Sequence, residues 1–418
     1  MSSDWFEKAT SKAFAITAFS ILGLLFVVRP TTLVPTSVLF AASVAVLVHG
    51  GFRRRFFEVF TESPYRWIAW AMLMWFGVAL FLELIHQPEN KFHFPDNALR
   101  MVMALTLLVM AAKSGAKQWF LAGVYVAGIA AAYWSLQAWP WSVSSRAQGV
   151  TNHPIHFGNL SSMVMLLSLT VALLASHIAV KTRILLLIAA FGGLVGAAGS
   201  VSRSSFVVLL CLLPLSFLAP NLRSMKWVNR GAAVLTVAIC MTVLMSSSVR
   251  DRFRISEALT DIQRVQKNDY MSSIGARAAM WQTAWNIFKE NPIVGVGSGR
   301  FQPEIVRRMQ VGAIPNTEIH NQPHSDIMHA LSSGGILKLL SYLGILVAPF
   351  VFFYRRYRDA GNDTEMQLMP ILGMQLVGAY FLTGLTNSNF DLQIYSTTYA
   401  VLVCVLAKLS VVSEAPTA

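Results

Sequence analysis

The sequence predicts an all-α, polytopic membrane helical bundle of about twelve transmembrane helices with one large helical loop region outside the membrane. Three observations predict it. Of the 418 residues 55% are hydrophobic and 13% charged, and the mean hydropathy of +0.54 means more apolar surface than one soluble core can hide. The apolar residues gather in runs of roughly 20, the length that crosses the hydrocarbon layer, where a backbone must satisfy its own hydrogen bonds and therefore coils into helices. Finally, a single connection, residues 248–331, is long enough to hold structure of its own.

Hydropathy places the spans at 12–28, 33–50, 66–85, 97–112, 117–137, 155–178, 182–200, 203–219, 230–247, 332–354, 368–386 and 394–412. The leading Met1-Ser-Ser-Asp-Trp-Phe-Glu-Lys8 segment contains acids, and no small-residue cleavage site follows the first apolar run, so that run reads as a retained signal anchor. The expected organisation is a nine-helix portion (1–247), the loop region (248–331) and three C-terminal spans (332–418).

Short-loop basic residues orient the bundle. With the N-terminus inside, Lys8, Lys12, Arg53, Arg54, Arg55, Arg66, Lys113, Lys117, Lys181, Arg183, Arg223, Lys226, Arg230, Arg355, Arg356, Arg358 and Lys408 all lie inside. The outer short loops then hold only Arg29, Lys91, Arg100, Arg146 and Arg203. The net charge of +13 is thus largely an orientation signal and an attraction to anionic lipid, and no basic-aromatic nucleic-acid module accompanies it. Cys211, Cys240 and Cys404 fall within spans, where a thiol acts as a small apolar side chain, so neither a disulfide framework nor a cysteine metal site is indicated.

Within the long loop, Arg250 to Tyr270 has a helix-like pattern, and Ala276 to Lys289 carries Trp281, Trp285 and Phe288 at i, i+4 and i+7. That stripe fits a helix lying on the bilayer or the bundle, and equally an aromatic face packed against the spans. Asn291-Pro-Ile-Val-Gly295-Val-Gly297 breaks the helix in a tight turn, because proline cannot continue it and glycine permits positive φ. The long loop follows nine spans rather than six, so the halves do not match as an inverted-repeat transporter would.

Four outward places set polar side chains beside apolar spans: Arg146, Arg203, Arg277 and His324. A guanidinium keeps its charge and matches phosphate oxygens with a fork of donors, so three converging arginines suit a diphosphate headgroup; each alone also reads as an interfacial side chain snorkelling to water. Arg203 stands out, because the turn before it is too short to keep it far from membrane depth, where a lone arginine costs about 2.5–3.5 kcal/mol on insertion scales. Lys338, inside the tenth span, either helps hold phosphate or snorkels. His320, His324 and His329 do not make a zinc motif, since there is no His-Glu-x-x-His and Pro323 interrupts any helix joining the first two; no outer Asp-x-Asp offers a divalent cation site either. Metal-free chemistry without a cofactor is expected. An imidazole, with its ordinary pKa near 6.5, can take a proton from a sugar hydroxyl at neutral pH, and a lipid diphosphate leaves readily once arginines neutralise it.

These features resemble the O-antigen ligases and their polymerase relatives. The resemblance rests on the span count, a large loop after the ninth span, Arg146-Ala-Gln-Gly with Asn152-His-Pro154, Ser202-Arg203, Arg277 with Trp281, Asn291-Pro-x-x-Gly295-x-Gly297, and His324-Ser325 followed by nine residues and Gly335. Two departures are Lys338, where the pattern usually has Gly, Thr or Tyr, and a rival His320-Asn321 pair that lacks the spaced glycine. The resemblance implies a GT-C-like glycosyltransferase in a bacterial inner membrane, with its site facing the periplasm and both termini cytoplasmic. It implies His324 as base with Arg277 beside it, and Arg203, Arg277 and Arg146 on the diphosphate. The implied reaction is an inverting transfer of O-antigen from undecaprenyl diphosphate to an outer-core sugar of lipid A-core. A polymerase, an O-linked protein oligosaccharyltransferase and a lipid-linked glycan transporter are the rival readings.

Overall fold

The computed structural model describes residues 3–29, 31–86, 93–112, 115–142, 144–176, 178–216, 234, 255–267 and 269–412. Among them the chain is helical, without strands: α1 (Ser3–Gly23), α2 (Leu33–Val48), α3 (Gly50–Glu58), α4 (Arg66–Ile85), α5 (Asp96–Ala104), α6 (Thr106–Val109), α7 (Ala116–Gln137), α8 (Pro154–Leu174), α9 (Val180–Gly199), α10 (Arg203–Leu212), α11 (Ile255–Gln266), α12 (Ser273–Glu290), α13 (Phe301–Gln310), α14 (Asp326–Asp359), α15 (Thr364–Gly384) and α16 (Gln393–Val412).

Seven of these helices, α4, α7, α8, α9, α14, α15 and α16, are long and apolar enough to cross a membrane, and α2 with α3 makes an eighth if that bent pair is one span. The remaining expected spans differ for local reasons. The run at 33–50 turns through 105° at His49, whose ring caps α3 by accepting from the Phe52 N–H. The run at 97–112 is broken at Leu105 into α5 and α6. At 203–219, α10 passes into a 3-10 turn that ends at Ser216. The run at 230–247, with Cys240, lies outside the described residues, as does the start of the long loop. Of the other cysteines, Cys404 is buried and Cys211 is exposed.

Polarity arranges these helices as lipid requires. Phe40, Trp67, Ile129, Phe191 and Leu340 point outward, whereas α8 is buried on every side from Phe157 to Leu174. α8 packs on α9, α7, α10 and α15, and α9 fits between α7 and α8 because small residues let backbones close. A Cβ added at Gly193, for example, would stand 2.7 Å from the Met165 nitrogen.

The loop region has a small core of its own in which Ala276, Met280, Ala284, Ile287, Phe301, Ile305 and Ile314 pack together, with Trp281 and Met328 against them. Buried Arg308 braces it by pairing with Glu290 and Glu304. The small residues of α12 face inward, so the aromatic stripe is not its main packing face: Trp285 is 47% exposed and lies against Phe288. α14 begins at Asp326, six residues before the expected span, so that His324 and Ser325 form its entrance.

Candidate functional site

Two glycines make the entrance to α14. Gly335 adopts φ 58° and ψ −151°, a region closed to other residues, and interrupts the helix there. The Asn291–Gly297 turn then plugs into the gap. Ile336 N–H donates to the Pro292 carbonyl (2.8 Å) and Leu337 N–H to Ile293 (3.4 Å), while the carbonyls of Ser332 and Ser333 accept from Val296 (3.0 Å) and Gly297 (2.9 Å). Two helical bonds are thus exchanged for four bonds to the turn. In lipid each unsatisfied group costs several kcal/mol, so the break survives only because the turn supplies every partner. A Cβ on Gly295 would sit 2.5 Å from the Gly334 nitrogen, which is why that position is glycine. His86, at the end of α4, anchors the turn through Nε2 and the Val294 carbonyl (2.8 Å).

His324 stands just before this broken helix. Ser325 caps α14 by accepting from Met328 N–H, and Trp281 of α12 donates to the Pro323 carbonyl (3.0 Å), fixing the peptide beside the histidine. His324 itself has φ 49°, Val201 φ 50° and Asn152 φ 57°; these are the non-glycine residues with positive φ among the described ones. His324 is itself a predicted site residue, and Val201 lies two residues before Arg203. For β-branched Val201 this conformation is a true outlier, and such strain of order 1–3 kcal/mol gathers at functional sites.

The expected side chains come together electrostatically. Burial pushes the His324 imidazole down to about 4, with His320, Arg277 and His153 adding to the depression. Burial also lowers Arg277, and Arg203 acts on it in the same direction. His153 is lowered by burial and then by Arg146. These influences couple Arg203 to Arg277, Arg277 and His153 to His324, and Arg146 to His153. Arg146 Nε donates to the Ser200 carbonyl (2.8 Å) and Ala147 N–H to Gly199 (2.8 Å), holding that loop against the turn that leads to Arg203. α8, α10, α12 and α14 all begin here, so the positive ends of four helix dipoles add to the field. Guanidinium groups and helix N-termini can attract an anion, and the imidazole here is neutral at neutral pH.

Two site members escaped the initial choice of candidates. His153 and His156 stack with ring centroids 4.3 Å apart, and His156 meets Tyr395 edge-on at 5.3 Å. The signal available for them was a His-Pro pair opening an apolar run directly after Arg146. Lys338, by contrast, is not among the arginines. Its Nζ donates to Ser333 Oγ (2.9 Å) beside a cavity of about 30 Å³ lined by Trp75, Asp326, His329, Tyr342, Phe390 and Asp391. The structure therefore corrects one expectation for Lys338: it is buried within the bundle beside Asp326 and Asp391 and does not snorkel to water.

The fold defines a multi-pass helical membrane protein, and comparison with known proteins refines that class. Residues 185–343 match the family model described as O-antigen ligase, a segment that contains Arg203, Arg277 and His324. The chain is 25% identical over 152 residues to a protein of Escherichia coli (strain K12) named O-antigen ligase, covering 35% of each chain. It is also 23% identical over 155 residues to an uncharacterized protein of Haemophilus influenzae, covering 36% of this chain and 38% of that one. These alignments span just over a third of each relative's length. Over residues 185–343 the chain is thus similar to the O-antigen ligases.

Proposed function

We propose that this protein is an O-antigen ligase of the bacterial inner membrane, transferring a polysaccharide from undecaprenyl diphosphate to an outer-core sugar of lipid A-core on the periplasmic side. The observation that carries the reading is the similarity of residues 185–343, which hold Arg203, Arg277 and His324, to the O-antigen ligases, supported by the electrostatic coupling of Arg277 to His324 and of Arg203 to Arg277. In the reaction, His324 takes the proton of the acceptor hydroxyl as its oxygen attacks the anomeric carbon. The bond to the diphosphate breaks with inversion, and Arg203, Arg277 and Arg146 take up the charge of the leaving group. A groove of about 1080 Å³ between α4 and α14 starts at Leu337, two residues past the helix break, and continues past Trp70, Met74, Leu340 and Val347. Its apolar middle suits an isoprenoid tail, and its other end is lined by Arg66, Arg355, Arg356 and Asp359.

The reading is tested by combining the purified protein with a tagged undecaprenyl-diphosphate-linked oligosaccharide and rough lipopolysaccharide. Label on lipopolysaccharide supports ligation. Label only in longer lipid-linked chains indicates a polymerase, and passage across liposomes with no new glycosidic bond indicates a transporter.

Two predictions arise here. Arg203→Lys keeps a charge but loses the fork, so kcat/KM for the lipid-linked donor should fall about tenfold or more, as expected when a charge-assisted bond of about 1.5–3 kcal/mol is weakened. Steady-state kinetics at varied donor concentration checks it. The second concerns pH. Burial, with His320 and Arg277 adding to it, disfavours protonation of His324, so the acid limb of kcat/KM should lie well below pH 6.5, toward 4. Arg277→Gln removes one of these contributions and should move the limb part of the way upward, beside any loss of rate; a limb that stays in place would separate the two residues.

A further inference from the structure

His324 is the first member of a line of three side chains. Its Nε2 lies 3.4 Å from His320 Nδ1, with the rings in a T-shaped arrangement. The opposite nitrogen of the His320 ring, Nε2, lies 3.5 Å from Glu318 Oε2. Exposure increases along the line, from half-buried His324 to His320 at 35% and Glu318 at 64%, so it runs from the site to water. Because Nε2 of His324 is engaged with His320, Nδ1 is the nitrogen left for an acceptor hydroxyl.

We propose that His320 and Glu318 form a proton exit for the base, a role that rests on the reading of His324 as the group that activates the acceptor. The need for an exit follows from the surroundings. Arg277 on α12, His153 before α8, His156 on α8 and His320 on the same loop all act on this group, and each is cationic or becomes so on protonation. A proton left on His324 would add a further positive charge to a site already rich in them. Glu318 is the carboxylate in reach of the chain of rings.

The transfer balances as follows. The acceptor O–H bond breaks as its oxygen bonds to the anomeric carbon, and the departing diphosphate keeps the electron pair of the broken C–O bond. The hydroxyl proton binds His324 Nδ1, the proton on His324 Nε2 passes to His320 Nδ1, and that on His320 Nε2 passes to Glu318. Glu318 releases it to water, and exchange with solvent restores both tautomers. His320 and Glu318 touch no substrate in this scheme; they are positioning residues that also carry the proton.

The test uses the full chain in proteoliposomes, with the tagged undecaprenyl-diphosphate-linked oligosaccharide, rough lipopolysaccharide and a series of imidazole buffer concentrations. His320→Ala should lower kcat about tenfold, below the 10²–10⁴-fold typical of losing the base itself, while KM for the glycan lipid changes less than about twofold. Added imidazole should restore most of the lost kcat, because a mobile base replaces the missing carrier. Glu318→Gln should show a smaller loss, also restored by buffer, and the unsubstituted protein no buffer dependence. Full kcat in His320→Ala, or a loss that buffer does not restore, overturns the relay and leaves His324 as base. Normal transfer by His324→Ala overturns the relay together with the reading beneath it.

Discussion

Replacing His324 by Ala should reduce glycan transfer by about 10²–10⁴-fold, the range usual for loss of a general base, while the protein remains folded. The expectation of a folded variant comes from the packing. His324 is only half-buried in a connecting segment, and the contacts that hold the segment belong to its neighbours: Ser325 caps α14 and Pro323 accepts from Trp281. His324 is neutral at neutral pH, so removing it strips no charge pair from the site and thermal stability in detergent should hold. The measurement pairs transfer to rough lipopolysaccharide with a melting curve. Loss of activity with an unchanged melt assigns the imidazole to chemistry; transfer at the normal rate removes it from the mechanism.

Gly335→Ala should have the largest effect on stability, about 2–6 kcal/mol. Part of this comes from forcing a side chain into φ 58°, ψ −151°, which costs of order 1–3 kcal/mol, and part from overpacking, typically 1–3 kcal/mol. The added Cβ would stand 2.5 Å from the Ile293 carbonyl carbon and oxygen. Ile293 belongs to the turn that replaces the missing helical bonds, so displacing it uncovers peptide groups of α14 and shifts the peptides leading to His324. A lower melting temperature and weaker transfer are expected together. An unchanged melt would mean that the turn and the broken helix are not interdependent.

Much of the helical layout was legible in the chain because hydrocarbon permits few backbone solutions. The runs at 66–85, 117–137 and 182–200 coincide with α4, α7 and α9 to within two residues. Boundaries were missed where polar residues continue a helix or a bend interrupts one. α14 starts six residues early because Ser325 caps a first turn containing Asp326 and His329, which hydropathy counts as loop. The right-angle turn at His49 follows from a capping contact within an otherwise apolar run, and a window average cannot register it.

For the site, residue type was informative and depth was not. An arginine beside an apolar span reads the same whether it meets its neighbours or water, and Arg203 and Arg277, far apart in sequence, act on each other electrostatically only in the folded chain. Lys338 shows the converse, since the acids around it, Glu83, Asp326 and Asp391, come from α4, α14 and the segment before α16.

Composition and spacing alone establish that the chain is a helical membrane bundle, because the cost of bare peptide groups in lipid depends on local runs of residues and not on what they touch. Which charges share a site, how a glycine-broken α14 is mended by the 291–297 turn, and where a histidine stands relative to three arginines are properties of distance. Coulomb and hydrogen-bond energies fall away within a few ångströms, so residues more than a hundred positions apart acquire a joint chemistry only once the helices have packed.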